Sequence, residues 1–196
     1  MRHTGLATAI AFALFSLAPT VAQQALVVKP LVEKKVTELP SGPLFWRIET
    51  FSTIAEAQAA SGPTGLAAEA GGKAWLFTLG PAGEASPGGN KVTEIGPLPE
   101  VVATEYLLRV NEASGPQGSI TSVHTHPGSE VFYVLAGETA QKTPHGVSRV
   151  AAGQSMVGHD ANTPMQVSSI GSTDLHSLVM FVVDATMPFS SPAKFE

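Results

Sequence analysis

Apolar and polar positions alternate in short runs over the second half of this chain. Val101–Val110, Ser119–His126, Glu130–Ala136, Glu138–Lys142, Val147–Val150, Ser155–Gly158, Thr163–Ser168 and Leu175–Val183 each have strand composition. Turn residues separate them: Gly115-Pro116, Pro127-Gly128, Gly137, Pro144, Gly153 and Gly171. Many short strands at near-regular spacing predict an all-β sandwich or barrel over residues 101–196.

The pattern before residue 101 is different. Residues 23–43 lack a clear period and read as an extended arm with one short strand. Leu44–Phe51 and Lys73–Leu79 have strand composition, and Trp46 and Trp75 within them are core anchors. Ser52 or Thr53 can cap a short helix running to Ala60, with Glu56 in its first turn. Ser61-Gly62-Pro63 stops it, and a second helical turn or two is predicted over Thr64–Ala70. Gly71-Gly72 punctuates, and residues 80–100, rich in Gly and Pro, read as a long connection. Residues 23–100 therefore form an N-terminal extension with short strands and one or two short helices, packing on the barrel. They contain no second copy of the later pattern.

The extreme N-terminus reads as an address. Arg2 and His3 precede an apolar stretch from Leu6 to Ala18, which is shorter than the roughly 20 residues that span a bilayer. It fits the hydrophobic region of a secretory signal peptide, and Thr20-Val21-Ala22 places small residues where a peptidase cuts. Cleavage after Ala22 would start the mature chain at Gln23, in the periplasm or outside the cell. No Cys follows the apolar stretch, so lipid attachment is not expected, nor is a stable membrane anchor.

Composition narrows the function. Cys is absent, which excludes disulfides, a thiolate nucleophile and a Cys-based zinc site. Sixteen acidic and eleven basic residues give a net charge of −5, with no basic patch, so nucleic acid is not a partner. Apolar residues make up 43% of the chain, enough for a packed core rather than a disordered one.

Five of the six histidines lie between positions 124 and 176. His124 and His126 stand two apart, and in a strand such residues project from the same face. Pro127-Gly128-Ser129 then turns the chain, and an antiparallel return brings Glu130 near both rings. Two neutral imidazoles and a carboxylate form a facial set that leaves coordination positions open. Such a set suits Fe, Mn, Ni, Cu or Zn as divalent ions.

Gly118, five residues, His124-Thr125-His126, three residues, Glu130, six residues and Gly137 together resemble the first sequence motif of the cupin superfamily. The resemblance covers about residues 100–185. It implies a cupin jelly-roll barrel, a metal held by His124, His126 and Glu130, and pairing into homodimers through the extension. Gly153-Gln154-Ser155-Met156-Val157-Gly158 looks like the start of the second cupin motif. Where a typical cupin then reads Gly-Thr-Pro-His, this chain reads Asn162-Thr163-Pro164-Met165, after a one-residue insertion. Met165 thus occupies the usual position of a fourth, histidine ligand. Three readings are open: Met165 is a thioether ligand, which favours copper; Met165 is an apolar wall beside a three-ligand ion; or His159 replaces the missing imidazole.

The remaining polar candidates are weaker. His145, between Pro144 and Gly146, reads as an exposed turn residue. His176 shares a strand face with Leu178 and Met180 and reads as a rim or core histidine. Tyr133 is out of phase with Glu130, and Gln141 and Arg149 lie on neighbouring strands. Gly118 and Gly137 end strands where positive φ is expected.

Similarity to quercetin dioxygenase-like cupins implies a metal-dependent oxygenase acting on a small phenolic or enolic substrate. Glu130 would serve as ligand or as general base. The alternative is a non-catalytic exported cupin that binds a metal or small metabolite as sensor, carrier or accessory protein.

Overall fold

The computed structural model describes residues 24–196, so the leader read at 1–22 lies outside the described residues. In chain order, the strands and the helix of the N-terminal part are β1 (Val27–Val36), β2 (Phe45–Phe51), α1 (Ile54–Ala60), β3 (Gly65–Ala70), β4 (Lys73–Gly80) and β5 (Asn90–Ile95). There follow β6 (Tyr106–Gly115), β7 (His124–Thr125), β8 (Gly128–Ala136), β9 (Glu138–Thr143) and β10 (Gly146–Ala151). The last are β11 (Ser155–Val157), β12 (Gln166–Ser169), β13 (Leu175–Asp184) and β14 (Ser191–Pro192). No helix among the described residues is long and apolar enough to cross a membrane.

Three antiparallel layers are stacked. The middle one is a five-stranded sheet in the order β1-β6-β13-β8-β11. On one side lies the three-stranded sheet β10-β9-β12, and on the other the four-stranded sheet β3-β4-β2-β5. Period-2 alternation along β13 explains how one sheet serves two cores. Leu178, Met180 and Val182 pack with Trp46, Trp75 and Phe77 of the four-stranded sheet. Val179, Phe181 and Val183 turn the other way and pack with Val150 and Val167 of the three-stranded sheet. The second core is the inside of a jelly-roll barrel, as expected for an all-β cupin fold.

Several local expectations hold for the expected reasons. Thr53 caps α1 in a reciprocal capping box: its hydroxyl accepts the Glu56 N–H, and the Glu56 carboxylate accepts the Thr53 N–H, both at 3.2 Å. Trp46 and Trp75 are buried, and the Trp75 indole donates to Ala70 O at 2.9 Å. Gly118 and Gly137 have φ of +84° and +74°.

Others are corrected. Thr64–Ala70 is not helical. Gly71 and Gly72 both have positive φ, which builds a two-residue hairpin turn and pairs Ala70 with Lys73. Leu66, Ala68 and Ala70 then alternate into the outer core, so packing overrides their helix-favouring composition. The connection expected over 80–100 contains β5, which pairs with β2 through residues such as Thr93 and Ile95. The extended arm is a ten-residue strand, β1, that joins the barrel sheet against β6. Its Pro30 and its lysines suit an edge strand. The strand predicted over Val101–Val110 starts only at Tyr106 and continues to Gly115. Most of Ser119–His126 lacks a regular ladder, because its backbone groups divide between Gln24 and Leu26 on one side and Met165, Val167 and Ser169 on the other.

Candidate functional site

The turn between β7 and β8 is built on close approach. Pro127 O accepts the Asp184 N–H at 2.9 Å. A Cβ on Gly128 would stand 2.3 Å from Val182 O, so only glycine lets β8 start this close to β13. This geometry turns His124, His126 and Glu130 toward one cavity of about 430 Å³ inside the barrel. Phe132, Val167, Val179 and Phe181 form its apolar walls, and residues 25, 26 and 28 close one side.

The two imidazole centroids are 5.0 Å apart, with ring planes at 82°. Each ring is oriented by a backbone carbonyl. His124 Nδ1 donates to Ser122 O at 2.8 Å, and His126 Nδ1 donates to Phe189 O at 2.6 Å. With the proton on Nδ1, Nε2 of each ring carries a lone pair, which is the tautomer that metal-binding histidines adopt. His126 is also clamped between Phe181 and Phe189, at 4.8 and 4.6 Å between centroids. Burial in that sandwich pushes its pKa down to about 4, against the Phe189 carbonyl, which raises it; nearby His124 and Arg109 lower it further. His126 is therefore neutral at pH 7.

Glu130 sits on β8 opposite Phe181 and is fully buried. Burial raises its pKa to about 8, although the Gln141 side-chain amide, which donates to Oε1, acts in the opposite direction. The same amide nitrogen lies 3.2 Å from Met165 Sδ. Gln141 thus links Glu130 to Met165. Its own Oε1 is buried without a partner.

Met165 pairs with His124 through the backbone, His124 N–H to Met165 O at 2.9 Å and Met165 N–H to His124 O at 2.8 Å. The residue is buried, and its sulfur meets Gln141 rather than the cavity lining. Asn162, at the place of the glycine in Gly-Thr-Pro-His, has φ of +62°, a conformation that Gly or Asn adopts most readily. The reading of the degenerate second motif is therefore consistent with its backbone.

His159 does not reach the cavity. Its ring lies 5.9 Å from that of His145, and its Nε2 is 3.4 Å from Thr143 Oγ1. His145 is an exposed turn residue. His176 lies at the rim of the outer core, where Nε2 is 2.6 Å from Glu112 Oε1. Tyr133 packs edge-on to Trp75 on the outer side of its sheet. Arg149 is exposed on β10.

The donor chemistry at the cavity fits a divalent transition metal in part. Two imidazoles whose Nδ1 atoms are turned to backbone carbonyls present Nε2. Glu130 shares the cavity but is engaged by Gln141, and no three His, Asp or Glu side chains among the described residues stand close enough to enclose one ion. Gln141 engages only Oε1 of Glu130, so Oε2 is the carboxyl oxygen that a third protein ligand would use.

Two contributors were not singled out in the sequence. Asn111 on β6 lines the cavity, and its buried Oδ1 has no partner. A polar residue in phase with Leu107 and Ala113, both of the inner core, was the available signal. Phe189 supplies the carbonyl for His126 and an aromatic wall, and its ring carries Arg109 at 4.3 Å. Its separation of 63 residues from His126 left no local signal.

No protein-family profile matches the sequence, and no curated protein matches it. Solved structures resemble part of the chain. A cupin-like protein from Thermotoga maritima is 13% identical over 45% of this chain and 65% of its own, with a TM-score of 0.40. The DMSP lyase DddQ from Ruegeria pomeroyi is 21% identical over 44% of this chain and 43% of its own, with a TM-score of 0.38. A cupin 2 domain-containing protein from Halorhodospira halophila is 14% identical over 44% of this chain and 59% of its own, also at 0.38. The matched part is thus less than two thirds of each of these three chains.

Proposed function

With a cupin-type barrel as the frame, we propose that this chain is an exported metal-dependent enzyme that acts on a small organic molecule, with oxygenase chemistry on a phenolic or enolic substrate. The observation that carries the reading is the matched pair of imidazoles, His124 and His126. Each has Nδ1 spent on a backbone carbonyl and Nε2 left to bind, and both line one cavity. Iron, manganese, nickel, copper or zinc would be held by these two residues, with Glu130 as the further ligand. The ion would supply Lewis-acid or redox chemistry at its open positions.

Glu130 has a second use. A carboxyl that is neutral at pH 7 holds a proton that it can donate to a substrate oxygen, and the buried Gln141 amide orients it for that task. Phe132 and Phe181 exclude water and favour a flat, apolar substrate body. Met165 fits best as an apolar wall behind Gln141. Export is proposed on the leader expected at residues 1–22, and sequencing of the mature N-terminus would test cleavage after Ala22.

One observation favours the alternative of a non-catalytic binding protein. With Met165 in place of the usual imidazole and Glu130 engaged by Gln141, two ligands are ready rather than four. The deciding experiment is elemental analysis of the untagged protein beside the His124→Ala/His126→Ala variant, followed by oxygen consumption with a panel of phenols and enols. Near-stoichiometric metal that the variant loses, together with turnover, supports the enzyme. Metal without turnover supports the binding protein. Absence of metal from both samples after reconstitution overturns the metal reading.

A further inference from the structure

We propose that Asn111 is the residue that selects the ligand of the barrel cavity, by accepting a hydrogen bond from a hydroxyl or N–H group on an otherwise apolar, uncharged small molecule. This rests on the cavity being the binding site, but not on any metal being there.

Asn111 lies in β6 with Leu107 and Ala113 on the barrel-facing side of the strand. It pairs with Val179 of β13, and both side chains line the cavity with Phe132 and Phe181. The residue is 4% exposed, and its Oδ1 is buried with no hydrogen-bond partner. An unpaired buried carbonyl is destabilising, and an apolar residue at this strand position would remove the penalty. A polar residue that works against stability in the wall of a cavity is the pattern of a binding site rather than of a core.

The rest of the lining defines the ligand class. No Lys, Arg or Asp side chain lines the cavity, and its one carboxyl is that of Glu130. In the metal-free cavity a strongly anionic ligand would find no Lys or Arg to pair with. Oδ1 can only accept, so the ligand must donate. A site built to pair such a donor rejects the analogue that lacks it, because the carbonyl is then left unpaired again. A simple probe pair is phenol and anisole, which share the ring and the oxygen acceptor while a methyl group replaces the donated hydrogen in anisole.

The test is isothermal titration of chelator-treated protein with phenol and with anisole, repeated after reconstitution with zinc. The wild type should bind phenol about tenfold more tightly than anisole, the preference expected from one net hydrogen bond. Asn111→Leu should lose that preference, and Asn111→Asp, which keeps an acceptor, should retain it. Thermal unfolding adds a readout that a purely structural asparagine would not give. Without ligand, Asn111→Leu should melt higher than the wild type, since it removes the unpaired carbonyl where the cavity has room. Asn111→Ala repeats the comparison if the leucine variant fails to fold. The proposal is overturned if the wild type binds the two probes alike or binds neither, or if the preference survives in Asn111→Leu. Metal content is measured separately, so a protein that discriminates phenol but holds no metal would defeat the metal reading and leave this one standing. A protein that holds metal but does not discriminate would do the reverse.

Discussion

Gly158 lies directly against Glu130: a Cβ at position 158 would stand 2.7 Å from Glu130 Cγ and 3.0 Å from Glu130 O. The Gly158 N–H also donates to that same carbonyl at 2.9 Å. The glycine that ends the start of the second motif therefore leaves the space that the first motif's carboxyl occupies. Gly158→Ala should force Glu130 aside and away from Gln141. A destabilisation of about 1–3 kcal/mol is expected from the overpacking. Urea denaturation reads the stability, and metal content reads the displaced carboxyl. Unchanged stability would mean that Glu130 moves freely.

Burial of two titratable groups in one cavity makes the pH dependence of the metal-free protein asymmetric. Between pH 4.5 and about 8, unfolded Glu130 is ionised while the folded carboxyl keeps its proton. The folded state binds more protons there, so stability falls as pH rises through this window. His126 acts in the opposite sense. Between about pH 4 and 6.5 its unfolded ring is protonated and its folded ring is not, so stability falls as pH drops. The His126 effect fades as pH passes 6.5, and the Glu130 effect is the larger of the two above it. The melting temperature of chelator-treated protein should therefore decline from pH 6.5 to 8, and Glu130→Gln should remove the decline. A bound cation favours the ionised carboxylate, so metal loading should flatten the same slope. A slope unchanged in Glu130→Gln would place its origin elsewhere.

What was legible in the sequence was local. The His124-Thr125-His126 spacing, the turn at Pro127-Gly128 and the return to Glu130 are set within seven positions, and all three side chains reach one cavity. Thr53 and Glu56 announced the helix start for the same reason. The misses came from partners distant in the chain. Thr64–Ala70 reads as helical until β4 and the outer core claim it, and β5 reads as connection until β2 pairs with it. The Phe189 carbonyl on His126 and the Gln141 amide on Glu130 are contacts that no spacing rule encodes. Asn111 was visible as a polar break in an inward-facing alternation, but its phase depended on placing β6 correctly, and that strand begins later than expected.

Met165 provides a direct test of the open question in the second motif. Its sulfur takes a hydrogen bond from Gln141 at 3.2 Å, and the side chain is not part of the cavity lining. Met165→Leu should then leave metal stoichiometry unchanged and cost less than about 1.5 kcal/mol, as volume-conserving swaps do. Loss of copper in this variant, with other metals retained, would instead identify the thioether as a ligand. Met165→His offers the complementary measurement. If position 165 is within reach of the ion, the added imidazole should tighten binding.

The C-terminal segment should prove necessary for the site although it carries no metal-binding side chain. Phe189 O orients His126, β14 pairs with β7 at His124 and Thr125, and the Ala193 N–H donates to Val123 O at 3.0 Å. Truncation after Pro188 removes all three restraints. Without the carbonyl, His126 loses the contact that holds its proton on Nδ1, and loss of such an orienting partner weakens metal affinity by about 10–100-fold. Phe189→Ala separates the two contributions, since it keeps the backbone carbonyl but deletes the ring packed on His126, Phe181 and Arg109. That variant should lose stability, by less than the roughly 3–5 kcal/mol of a fully buried Phe→Ala change, and keep most of its metal. Competition with a metal indicator reads the affinity of both proteins. Equal loss in the two would show that the ring rather than the carbonyl orients His126, and no loss in the truncated protein would show that His126 needs neither.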